Sequence, residues 1–156
     1  MIIRFVQGTS LTSRLIMAQE KTAMPFTPSH VEALTPDGFY LGAHDDGGVQ
    51  KRPVGYDKAT MAHELLLDLA TSPKCDEIFY DYLNSHIGEP YDWKAIFGFI
   101  VPGHEHDVGH VICSALQTLA LRACGYFPWP LAAPAHLIDP RDLLLMISAR
   151  MAIPGI

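Results

Sequence analysis

Three features are scarce in this chain, and each shortage removes a class of protein. Cysteine occurs three times, at 75, 113 and 124, an odd number without the paired spacing of a metal site. These residues read as reduced thiols rather than as a disulfide scaffold. Clustered cations are missing too. Among 11 basic and 17 acidic residues, with a formal net charge of −6, no Lys/Arg cluster exceeds Lys51-Arg52. A nucleic-acid surface needs more, so no nucleic-acid partner is expected. Long apolar runs are absent as well: the longest, Ala95 to Val101, falls far below the ~18 residues of a membrane span. The opening Met1–Val6 is too short for a secretory leader before Gln7-Gly8, which leaves a cytoplasmic or phage-associated protein as the default expectation.

What is present suffices for a packed domain. Of 156 residues, 49% are apolar, with no repeats or low-complexity tracts, and residues 1–156 are expected to form one domain. Ile2 to Val6 reads as a strand ended by Gly8. Thr9 or Ser10 then caps a helix with Leu11, Leu15 and Ile16 on one side, running to about Thr22. Ser29 to Leu34 alternates as a half-buried strand, and Thr35-Pro36-Asp37-Gly38 is a turn. Phe39–Ala43 and Val49–Val54 continue the meander around a turn at His44–Gly48. Met61 to Ala70, with its leucine run, suits a buried strand or a short helix, with the strand preferred. Ser72-Pro73 starts a helix to about Ile87, with Ile78, Tyr82 and Leu83 inward. A segment from Tyr91 to Ile100 is read as helical, and a short helix follows Asp139-Pro140 through Leu145. The whole reads as α+β.

The stretch around which these elements are arranged is Ile112 to Gly125. Cys113, Leu116, Gln117, Ala120, Leu121 and Cys124 recur at the spacing of one helix face, and Gly125 supplies a stop. Cys113 therefore falls at the first turn, where unpaired N–H groups and the helix dipole favour a thiolate. A nucleophilic thiolate needs an imidazole partner, and His30 offers one. Glu32 projects from the same strand face about 6.5 Å further on and can orient the ring. His110, three residues before Cys113, is a reserve base. The run His104-Glu105-His106-Asp107, with His110, matches no zinc spacing, so neither a metal nor a cofactor is assigned. No Gly-x-Ser-x-Gly elbow surrounds Ser114. Cys124 is expected in the core beside Gly125, and Cys75 in the first turn of its helix.

Ser29-His30-Val31-Glu32, the Asp37-Gly38 turn, Gly47-Gly48-Val49, Gly88-Glu89-Pro90-Tyr91-Asp92-Trp93 and Ile112-Cys113-Ser114-Ala115-Leu116 follow one another in order. In this order the chain resembles the circularly permuted NlpC-type papain-like cysteine hydrolases, the YiiX/YebB-like group with its phage-type members. The resemblance spans roughly residues 2 to 145. It implies a permuted papain-like fold, in which an antiparallel sheet packs against the helix bearing the nucleophile. It also implies Cys113 as nucleophile, His30 as general base, Glu32 as orienting residue and Tyr91 as an oxyanion or substrate contact. Many relatives carry the third polar residue just before an alanine; here Gly42 precedes Ala43, so Glu32 fills that role, or His44 does, or the Cys113–His30 dyad works alone. The implied reaction is thiol-dependent hydrolysis of an amide bond, such as a cell-wall peptide, with a peptide or a small acyl-containing molecule as substrate. A lipid ester or thioester hydrolase or acyltransferase, and a non-catalytic binding module, are the alternatives.

Overall fold

Residues 2–8 alternate between two buried surfaces, which makes them the centre of a sheet. Strand β1 (Ile2–Gly8) turns Ile3 and Phe5 to one side and Arg4 and Val6 to the other, and all four are buried. In the computed structural model, which describes residues 1–19, 25–92, 112–131 and 133–152, β1 pairs antiparallel with two neighbours. These are β2 (His30–Leu34) and β5 (Met61–Asp68). Strands β3 (Phe39–His44) and β4 (Gly48–Pro53) continue from β2 as a meander, giving the antiparallel order β4-β3-β2-β1-β5. Among the described residues the helices are α1 (Leu11–Gln19), α2 (Pro73–Ser85), α3 (Cys113–Ala123) and α4 (Pro140–Ala152), with one 3₁₀ turn at Ala135–Leu137. The chain is thus α+β.

The two sheet faces differ in chemistry. Ile3, Phe5, Val31, Ala33 and Leu41 share one apolar core with Phe79 and Leu83 of α2, Leu116, Ala120 and Leu121 of α3, and Leu143 and Ile147 of α4. Inside that core the amide of Gln117 donates to the carbonyl of Leu41 at 3.0 Å, which fixes α3 against β3. The helix ends where expected, at Gly125 with φ of 79°. On the opposite face, register and alternation bring together Arg4, His30, Glu32, Tyr40 and His44. That polar face carries the candidate site.

Several boundaries depart from the sequence reading. Ser10 does begin α1, its hydroxyl accepting from the N–H of Ser13 at 3.1 Å. Only Ile16 is buried, however, while Leu11 and Leu15 are 76% and 45% exposed. The leucine run is a strand as expected, but β5 lies at the sheet edge with Leu66 exposed, so burial of the whole run is corrected. Ser72 caps α2 by accepting from the N–H of Cys75 at 3.2 Å, and Phe79 rather than Ile78 or Tyr82 joins Leu83 in the core. Helix α4 runs well past Leu145 to Ala152. The helix expected over 91–100 lies outside the described residues beyond Asp92.

Candidate functional site

At one end of the sheet, Cys113 and Tyr91 from the apolar core meet His30, Glu32 and His44 of the polar face. Cys113 is the first residue of α3, follows the extended Ile112 and is 2% exposed. His30 is the first residue of β2 and lies close enough to Cys113 for the two to interact electrostatically. Its Nε2 lies 3.4 Å from Glu32 Oε2. His44 ends β3 with its ring centroid 4.9 Å from that of His30. Tyr91 is buried close enough to Cys113 to feel its charge.

Glu32 is fully buried, and its carboxylate is satisfied from several sides. Arg4 donates through Nη1 to Oε1 at 2.5 Å, and the Tyr56 hydroxyl donates to Oε2 at 3.2 Å. Arg4 is itself held by Glu64 at 2.8 Å and Asp57 at 3.0 Å, with its guanidinium 4.2 Å from the centroid of the Tyr40 ring. A buried carboxylate left without a counterion costs several kcal/mol, and Arg4 supplies that counter-charge beneath His30. Burial opposes the Arg4 charge, but the carboxylates of Asp57, Glu64 and Glu32 outweigh it and raise its pKa. Sequence reasoning missed Arg4, Tyr56 and Asp57. A lone arginine in an otherwise apolar strand was the available signal, because its charge has to be answered wherever the strand is buried on both faces.

The two histidines are driven in opposite directions. Burial acts against the charged form of His30, yet its hydrogen bond and charge interaction with Cys113, then with Glu32, lift it to about 10. His44 is pushed down to about 2 by burial first, then by the charges of His30, Arg52 and Arg4. It is therefore a neutral imidazole. Its Nδ1 lies 3.4 Å from the Tyr56 hydroxyl, and its buried Nε2, 3.6 Å from Glu32, has no hydrogen bond among the described residues. Burial, followed by the charge of Cys113, also raises Tyr91 well above the ordinary tyrosine range and keeps it a phenol, a hydrogen-bond donor.

The glycines of the recurring motifs have local explanations. Gly48 has φ of 72°, and a Cβ there would overlap the carbonyl oxygen of Glu89. That close approach lets Val49 N–H donate to Glu89 at 2.9 Å and Gly88 N–H donate to Val49 at 2.9 Å, which carries Tyr91 to the site. A Cβ at Gly42 would sit 2.9 Å from the Cβ of Glu32. The space beside Gly42 is filled by Glu32 reaching across from the neighbouring strand.

His30, Glu32 and His44 offer ligand atoms within 4.8 Å of one another. A divalent cation there would meet the guanidinium of Arg4 across the same carboxylate and would have to take the lone pair of a protonated His30. The donor set thus fits a metal poorly. The reserve base His110 and the histidine-rich 104–107 run lie outside the described residues.

A cleft of about 260 Å³ opens onto His30, His44 and Tyr91. Its described walls are mostly polar, including Ser10, Ser13, Ser29, Asp57 and Arg52, with Val6 and Ile16 among the few apolar contributors. No family model matches the chain, and no curated protein matches it significantly.

Proposed function

We propose that the chain is a cysteine hydrolase of the permuted papain-like type, cleaving an amide bond through a Cys113 thioester. The observation that carries this reading is the position of His30, which interacts with Cys113 on one side and lies 3.4 Å from the buried Glu32 on the other. Glu32 holds the ring in one tautomer and stabilises the imidazolium, which in turn favours the thiolate. The sulfur attacks the substrate carbonyl carbon. Negative charge on the oxygen is met by the backbone N–H of Cys113 at the helix start and by the Tyr91 hydroxyl. His30 gives its proton to the leaving amine, then takes one from water as that water opens the thioester. Neutral His44 braces the Glu32–Tyr56 side of the network and is not the base.

The described cleft walls favour a peptide over a fatty acyl chain, since a long apolar groove would be needed for the latter. A cell-wall peptide is a substrate of suitable chemistry. The test is alkylation of Cys113 by iodoacetamide, with Cys75 and Cys124 replaced by Ser. The rate at pH 7 is expected to fall about tenfold or more in His30→Ala. Equal rates in the two proteins would remove the chemical basis of a hydrolase and leave a binding module on the same scaffold.

A further inference from the structure

Away from the site, the structure brings together the two cysteines left unused by the proposed chemistry. Cys75 lies in the first turn of α2 and Cys124 caps the end of α3, 49 residues further along. Their sulfurs, free thiols here, stand 2.7 Å apart, with Cys75 Sγ–H donating to Cys124 Sγ. This is well inside ordinary sulfur–sulfur packing distance. Neither residue is deeply buried. Both line a second cleft, of about 490 Å³, whose wall includes Ser72, Tyr126 and the cationic Arg150. A small disulfide reagent can therefore reach them.

We propose that Cys75 and Cys124 form a reversible redox site, closing to an intramolecular disulfide that ties α2 to the helix bearing Cys113. The oxidant is a small-molecule disulfide of the glutathione class. One cysteine thiolate attacks a sulfur of the reagent and expels one glutathione thiolate, leaving a mixed disulfide on the protein. The second cysteine loses its proton, attacks the protein sulfur of that mixed disulfide and expels the second glutathione. Two thiols and one glutathione disulfide become one protein disulfide and two glutathiones. Cys113 stays outside this exchange. The 11 residues of α3 put it about 16 Å from Cys124, and its sulfur faces His30. Burial, the neighbouring Cys124 sulfur and then the Asp76 carboxylate hold the Cys75 thiol up at about 12 against the opposing charge of the Met1 ammonium, so closure quickens as pH rises.

The experiment compares the full chain, reduced with dithiothreitol, with the same chain equilibrated with oxidised glutathione. Remaining thiols are alkylated before digestion and mass spectrometry. The expected product is about 2 Da lighter than the reduced chain before alkylation, with one bridged peptide joining 75 to 124 and Cys113 in thiol form. Its melting temperature should rise by about 5–15 °C, because the bridge closes a long loop in the unfolded chain. Cys75→Ser and, independently, Cys124→Ala should abolish the oxidant-dependent rise. A bridge involving Cys113, glutathione retained on Cys75 or Cys124, intermolecular dimers, or full alkylation of both residues would each overturn the proposal.

Discussion

His44 carries a prediction that only its surroundings could supply. An ordinary histidine takes a proton near pH 6.5, whereas this one, lowered to about 2 by burial and then by neighbouring cations, stays neutral in the folded chain. Below pH 6.5 the unfolded state binds a proton that the native state refuses, so stability falls as pH falls, by up to about 1.4 kcal/mol per pH unit. His30 adds nothing in that window, being protonated in both states. Its raised pKa acts on the other side, where its contribution is complete below 6.5 and is lost as pH climbs through about 10. Urea midpoints measured from pH 4 to pH 10 should therefore pass through a maximum, and His44→Gln should flatten the acid limb alone. An unchanged acid limb in that variant would mean that His44 is not held neutral.

At the scale of elements, the sharpest dependence is the contact between the start of β4 and the segment leading to Tyr91. Gly48→Ala meets two penalties, a positive φ and a Cβ driven into the Glu89 carbonyl. It should cost about 1–3 kcal/mol of stability. It should also impair any turnover that depends on Tyr91 more than that loss implies, which thermal melts and rate measurements on one preparation can compare. The same level shows what could be read in advance. The two turns of the meander, the Ser72-Pro73 helix start and the Cys113 face carry local signals in Gly, Pro and cap residues, and those elements stand where they were expected. Placement of His30 beside Glu32 followed from strand alternation alone. Other features are set by tertiary pairing: that β5 returns to the free edge of β1, that Leu11 and Leu15 face outward, and that Cys75 meets Cys124. Arg4 is the instructive case. Its role depends on three carboxylates from β2, β5 and the turn after β4, and a one-dimensional pattern carries no trace of which strands those are.

For the whole molecule, the order β4-β3-β2-β1-β5 has a kinetic consequence. Strands β2, β3 and β4 are joined by short turns and can pair early, because closing a short loop costs little chain entropy. Strand β5 must instead come back past the entire meander to reach β1, a distant pairing of the kind that slows folding. Arg4 sits on β1 and takes Glu32 from one neighbour and Glu64 from the other, so the support beneath His30 is incomplete until that last strand docks. In refolding from urea, far-ultraviolet signal should therefore recover before the rapid reaction of Cys113 with iodoacetamide does, with the lag between them timing the arrival of β5. The chain would spend the interval with a sheet already built and Cys113 and His30 not yet brought together.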